Sequence, residues 1–395
     1  MRGWPWFILI LFLGWSLHGQ ELPAIGKVHD SIVVDGDPNE TFALYLPNSF
    51  SKKIPSSIVF VFDPAARGAV GVQTFIPAAE KYGHILVCSN NSRNAPYERN
   101  FEIANRLFNH IFAHFNIDED SIYATGFSGG ARLATAIASL TDKFAGVIGC
   151  GAGFSGIREY MPGAQRYAYV GLCGDRDMNY KEMLENKGYL NLIQFNGTLV
   201  TYDGEHRWPP ETQILRAFDW LQLQKLKKER PVPMAQIQRA YQRDSELLMQ
   251  FREEGSLLFE AEQHERMVKD YAGILEVDSL KVQYAALLNS KVLKQQLEAV
   301  ETALEKEREW VGKLDTQLQR DLMIPDKTNW NWWKKELGKL EKLKDKGGQE
   351  MQKMVFRIRF DLFVRAYSRK NELLHQQSTA QSKWIDTLLE LLNPK

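Results

Sequence analysis

The chain has 395 residues, and its 49 Lys+Arg are balanced by 49 Asp+Glu, a formal net charge of +0. At roughly 150 residues per domain this length predicts two or three domains, and shares of 44% hydrophobic and 25% charged residues are those of a chain that buries a core without staples, not of a disordered one. Zero net charge argues against a surface built to neutralise phosphate backbones, so nucleic acid is not expected as a partner; three cysteines are too few and too odd in number for a disulfide framework.

Residues 1–19 read as a signal peptide. Arg2 supplies the positive start, Trp6 to Leu13 an apolar run of about eight residues, and Ser16 and Gly19 the small residues of a cleavage site. That run lies within the roughly 7–15 residues of a signal core and short of the ~20 needed to span a bilayer. The expectation is an exported protein (periplasm, cell envelope or extracellular space) with no stable membrane insertion after cleavage. Cys88, Cys150 and Cys173 each end an apolar run and are expected as free, buried thiols; a Cys150–Cys173 bridge is the alternative in an oxidising compartment.

From residue 27 to 225 two kinds of segment follow one another. Strand-like runs are Lys27–Val34, Thr41–Tyr45, Ser57–Phe62, His84–Cys88, Ser121–Thr125, Phe144–Cys150, Tyr167–Cys173 and Thr198–Tyr202, mostly short and apolar throughout, as strands buried on both faces are. Helical patterns fall at Val72–Tyr82, Tyr97–Phe115, Gly130–Thr141, Tyr180–Leu190 and Pro210–Lys225. The alternation predicts a mostly parallel eight-stranded sheet flanked by helices, an α/β domain, with the first two strands as an antiparallel lead-in.

A basic, proline-containing stretch, residues 226–234, reads as a linker. In residues 235–395 strand signals vanish, and about a third of the residues are charged against about a fifth before it. Leu297, Val300, Leu304, Val311, Leu314 and Leu318 follow a 3/4 spacing, so Lys291–Leu322 is expected as one long amphipathic helix. Helices are also expected at Met351–Tyr367 and Asn371–Leu392. This second region is predicted all-α, a bundle or hairpin array with a faint tetratricopeptide-like or coiled-coil character. It could bind a protein partner or self-associate. Trp330, Trp332 and Trp333 read as packing anchors between helices rather than as a ligand platform.

The chemistry concentrates at Gly126-Phe127-Ser128-Gly129-Gly130, a G-x-S-x-G pentapeptide between a buried strand and a helix. That is the context of a nucleophile elbow. Ser128 must sit in a tight strand-to-helix turn, where bulk at Gly126 or Gly130 would clash, and the Gly129 N–H then faces the site at the positive end of the next helix. A serine hydroxyl needs a base, and the base an orienting acid. His206 is the one histidine between Ser128 and the linker, and it follows the last strand. The acid belongs after the strand before; there Asp177 is preferred to Asp175, being farther into the loop. A second oxyanion donor is expected from the loop Asp63-Pro64-Ala65-Ala66, where Pro64 has no N–H, leaving Ala65, or else Ala66. Phe127, Asn91 and Trp208 are the candidate substrate contacts, Asn91 lying in a polar loop that could equally be a self-bonded turn.

These motifs, GFSGG at Gly126–Gly130, GDRDMNY at Gly174–Tyr180 and DGEHRWPP at Asp203–Pro210, occur in order, and residues 27–225 resemble the α/β-hydrolase superfamily, especially polyhydroxybutyrate-depolymerase-like and feruloyl-esterase-like serine esterases. The resemblance covers about half the chain. It implies hydrolysis of a small-molecule or polymer ester through Ser128, Asp177 and His206 and an acyl-enzyme. One departure stands out: where the family often reads His-Gly in the oxyanion loop, this chain has Asp63-Pro64. Two rival readings are a serine peptidase of the prolyl-oligopeptidase type and a non-catalytic scaffold working through its helices. His110 and His114 stand four apart as zinc ligands could, but Ile111 occupies the place of a metalloprotease base. No metal and no cofactor is expected.

Overall fold

The computed structural model describes residues 23–374 and 379–393; the signal-peptide reading of residues 1–19 falls outside them. Eight strands form one sheet: β1 (Val28–Val34), β2 (Asp37–Tyr45), β3 (Ser56–Phe62), β4 (Ile85–Ser89), β5 (Ile117–Phe127), β6 (Gly146–Cys150), β7 (Ala168–Arg176) and β8 (Gly197–Glu205). Their spatial order is β1-β2-β4-β3-β5-β6-β7-β8. β2 runs antiparallel to β1 and β4, and every pairing from β4 to β8 is parallel. The apolar runs are the interior strands: every residue of β4 and β6 is buried, because helices cover both faces. β7 and β8 extend past their apolar runs to Arg176 and Glu205, which still pair with each other, so ladder hydrogen bonds rather than hydrophobicity carry these strands to the loops that matter for the site.

The helices of this half are α1 (Gly68–Tyr82), α2 (Tyr97–His114), α3 (Gly129–Thr141), α4 (Tyr180–Leu192) and α5 (Glu211–Lys228). Val72 and Phe75 of α1 and Ile214, Phe218 and Leu221 of α5 pack on one face of the sheet. Leu107 and Ile111 of α2 and Leu133 and Ile137 of α3 pack on the other. Cys88, Cys150 and Cys173 are unpaired and buried in these layers.

Beyond residue 233 the described chain is helical: α6 (Met234–Glu253), α7 (Leu257–Tyr271), α8 (Asp278–Asn289), α9 (Lys291–Met323), α10 (Trp330–Lys346), α11 (Gln349–Leu374) and α12 (Thr379–Leu392). α9 follows its 3/4 pattern in its second half, with Leu314, Leu318 and then Leu322 inward, whereas Leu297 at the start of the pattern is exposed. Trp333 is fully buried, donates its indole N–H to Asp321 (2.8 Å), and sits with Trp384 in the core shared by α9 to α12.

This helical half is joined to the sheet by continuous packing. Leu223 and Leu226 of α5 share an apolar cluster with Ile237, Met267 and Tyr271. More tellingly, α7 satisfies the open edge of β8. Glu262 accepts from the Thr201 N–H (3.1 Å), Arg266 donates to the Leu199 carbonyl (3.1 Å), and Lys269 donates to the Gly197 carbonyl (3.1 Å). Residues 197, 199 and 201 point their backbone groups the same way off the edge, and residues 262, 266 and 269 lie on one helix face. An edge that would otherwise recruit another strand is thereby covered. Among the described residues no helix is long and apolar enough to cross a membrane.

Candidate active site

β5 delivers Phe127, and the chain then turns sharply through Ser128 into α3. Ser128 takes φ 53° and ψ −120°, a conformation that a non-glycine residue holds only when its surroundings enforce it. They do so here. The Ser128 N–H is fixed to the Cys150 carbonyl (2.8 Å). A Cβ on Gly130 would lie 2.0 Å from the Phe62 carbonyl oxygen, and one on Gly126 2.3 Å from the Gly130 carbonyl. Neither backbone can retreat, so both positions require glycine.

The loops after β7 and β8 bring the other two groups to the serine. His206 Nε2 lies 3.1 Å from Ser128 Oγ, and Nδ1 lies 2.8 Å from Asp177 Oδ1. An ionised carboxylate only accepts, so Nδ1 carries the proton and Nε2 is left to accept from the serine hydroxyl. Asp177 is 1% exposed and also accepts the Asn179 N–H (2.8 Å), which fixes its rotation. Of the two aspartates at the end of β7, Asp177 faces the histidine. Asp175 faces the helical half, where Lys353 meets its carboxylate at 2.9 Å.

The Asp63 loop does not supply an oxyanion donor as expected. The Asp63 carboxylate is buried and draws the loop onto itself. It accepts from the Ala65 N–H (2.8 Å), from Arg67 Nε (3.0 Å) and Nη2 (2.8 Å), and from Trp208 Nε1 (3.3 Å). The Ala66 N–H goes to the Asp63 carbonyl (3.2 Å). Ala65 is therefore spent on Asp63, and so is the alternative Ala66. Asn91 is also withdrawn from the site: its amide accepts the Thr41 N–H (2.9 Å) and donates to the Asn39 carbonyl (3.0 Å), tying the β4 loop to β2. Its loop is the self-bonded turn. Phe127 does border the site, its ring 4.6 Å from that of His206, with Trp208 5.4 Å behind it.

Two neighbours of the site carry no signal in the sequence. Asn94 stands against Gly129: a Cβ on Gly129 would fall 1.8 Å from its Oδ1, and nothing in the polar loop after β4 ranks Asn94 above the residues beside it. The second is α11. Its Phe360 ring lies 5.8 Å from His206, a contact between residues about 150 positions apart that no local pattern announces.

His110 and His114 stack on α2 at 4.3 Å, and Asp35 joins them at 3.2 and 3.5 Å. His110 Nδ1 already accepts the Asp35 backbone N–H (3.1 Å), so that lone pair is engaged.

The strand order, the antiparallel β2, the strained serine between β5 and α3, and the acid and histidine after β7 and β8 occur together in one topology. The chain has the α/β-hydrolase fold. No protein-family model and no curated protein matches it. Among solved structures, the Staphylococcus aureus fluorophosphonate-binding serine hydrolase FphF is 16% identical, with a TM-score of 0.43 over 50% of this chain and 99% of its own. S-formylglutathione hydrolase from the same organism is 16% identical, TM-score 0.41, over 51% and 99%. Est1E from Butyrivibrio proteoclasticus is 12% identical, TM-score 0.41, over 51% and 100%.

Proposed function

We propose that the protein is an exported serine hydrolase that cleaves carboxylic esters. The observation that carries this reading is the unbroken relay from Ser128 Oγ through His206 to buried Asp177 on an enforced elbow. His206 Nε2 takes the serine proton as Oγ attacks the acyl carbonyl. Asp177 holds the Nδ1–H tautomer and stabilises the imidazolium. The oxyanion forms beside the Gly129 N–H at the start of α3, where the helix dipole favours negative charge. We assign the second donor to the Asn94 side-chain amide: the two ends of an amide are exchanged by a flip of the group, which would turn Nδ2 toward the space beside Gly129. The imidazolium then protonates the leaving alkoxide, and water, deprotonated by His206, releases the acyl group.

The test is Ser128→Ala. Turnover of nitrophenyl esters and labelling by a fluorophosphonate probe should both disappear while the protein stays folded, and undiminished labelling would sink the assignment. Export is tested by N-terminal sequencing of protein recovered from the cell envelope or medium, which should begin near residue 20; an intact Met1 would contradict it.

A further inference from the structure

We propose that the helical half supplies a substrate subsite: the aromatic face of α11 walls a cavity for the apolar arm, acyl or aryl, of the ester cleaved at Ser128. This rests on the esterase reading above. Phe356, Phe360, Phe363 and Tyr367 fall at i, i+4, i+7 and i+11 and so share one helix face. Their rings follow one another at 6.4, 6.2 and 5.9 Å, and none is fully buried. The row passes the triad at its second member, since Phe360 is also the ring against His206. Phe356, Phe360 and Phe363 line a cavity of about 370 Å³ together with Val355 and Leu392. Volumes of this order suit a small organic ligand.

The polar rim does not look for an anion. Both cations of the lining are already paired, Arg359 with Glu341 (2.5 Å) and the Leu392 carbonyl and Lys344 with Glu341 (3.7 Å), which leaves the apolar walls to do the recognition. The aromatic face is also fixed relative to the triad. Between Phe356 and Phe360, Arg357 turns the other way, is 1% exposed, and donates to the Asp175 carbonyl at 2.7 Å. Lys353, one turn earlier, meets the Asp175 carboxylate at 2.9 Å. Asp175 lies two residues before the catalytic acid, so one loop sets both the triad and the rotation of α11. Phe360 is shared by the cavity wall and the surroundings of His206, so the proposed path of the arm from Ser128 runs past this ring to Phe356 and Phe363.

The experiment compares nitrophenyl octanoate with nitrophenyl acetate on the full chain and on Phe356→Ala and Phe360→Ala. Removing a ring that covers the arm should lower the octanoate-to-acetate ratio of kcat/KM by about 10-fold or more, whereas Phe360→Leu, which keeps apolar bulk, should recover most of it. An unchanged ratio in both alanine variants overturns the proposal. If no ester is turned over at all, the esterase reading fails instead, and binding of the non-hydrolysable nitrophenyl octyl ether decides the cavity. Binding that weakens about 10-fold in Phe356→Asp supports it; no binding to the full chain overturns it. A Phe363→Asp variant that changes only the oligomeric state would identify this face as a contact between copies, and would likewise overturn the subsite.

Discussion

Arg357 offers the sharpest test of whether the two halves act as one unit. It is 1% exposed and places two N–H groups on Glu307 Oε2 (2.9 and 2.6 Å) and a third on the Asp175 carbonyl (2.7 Å). Its guanidinium also lies over the Tyr180 ring at 5.1 Å. Arg357→Met removes the cation and leaves the Glu307 carboxylate buried without its partner. Breaking a buried pair from one side costs about 3–5 kcal/mol, which at about 1.2 °C per kcal/mol for a single cooperative unit of this length lowers the melting temperature by roughly 4–6 °C. The double variant Arg357→Met/Glu307→Leu removes both charges and should recover most of that loss. The pH dependence has a definite sign. Burial already pushes the Glu307 carboxyl above its ordinary range, with Arg357 pulling it back. Without Arg357 its folded pKa rises further above the unfolded value, so the stabilising effect of protonation is full below about pH 4.3 and is lost as pH rises through the folded pKa. The deficit of the single variant relative to wild type is thus largest near pH 7 and shrinks on acidification. Urea unfolding of all three proteins at pH 7 and pH 5 measures it. A single variant within about 1 kcal/mol of wild type at pH 7, or a double variant no better than the single, would refute the reasoning.

Three further outcomes follow from the same structure. Asn94→Ala should reduce kcat by about 10²–10³ with a much smaller change in KM, as loss of one oxyanion donor does; an unaltered kcat would refute the assignment of Asn94. His84 is 6% exposed among Tyr82, Tyr123 and Phe218, and burial, with Lys225 nearby, pushes its pKa down to about 3. Its contribution is present above about pH 6.5 and is lost by up to about 1.4 kcal/mol per pH unit as pH falls toward its folded pKa, so His84→Gln should flatten the stability profile between pH 6.5 and 4, and an equally steep profile would contradict this. Glu262→Ala/Arg266→Ala should uncover the β8 edge and produce concentration-dependent association in sedimentation velocity, whereas a monodisperse variant would show that the edge needs no cover.

Sequence reasoning reached the α/β half because its signals are local. Eight strand-like runs sit at eight strands; some ends lie farther out because pairing continues beyond the hydrophobic stretch, as at Arg176 and Glu205, and others lie inside the run, as at Gly146, where β6 starts two residues after Phe144. The elbow was legible because the turn geometry dictates residue type: nothing larger than hydrogen fits at Gly126 or Gly130. Chain order, with position in the loop for the acid, singles out Asp177 and His206, and the fold brings both into line with Ser128. What failed was the assignment of individual hydrogen-bond donors. Ala65 and Asn91 sit in the expected loops, but whether an N–H faces substrate or its own loop depends on Asp63 and Thr41, whose positions only the folded chain sets. The helical half was legible as helix and opaque as partner, because the contacts of Arg357 and Phe360 span sequence distances over which no periodicity operates.

Those contacts give the helical half a physical reason for its place. The acid and the histidine hang from the ends of β7 and β8, the last strands on one side of the sheet. In such a position β8 has a neighbour on one side only, and the loops that follow β7 and β8 have less around them to hold a geometry that must be kept to about 0.5 Å. α7 supplies the missing edge partner along β8, and α11 grips the Asp175–Asp177 loop through Arg357 and Lys353 while setting Phe360 against His206. The serine needs no such help, since β5 lies in the middle of the sheet and its elbow is enforced by Phe62 and Cys150 on either side. Support is therefore concentrated on Asp177 and His206, the two residues of the relay that the sheet alone leaves least constrained, and the helix that grips the Asp177 side also sets an aromatic face beside His206.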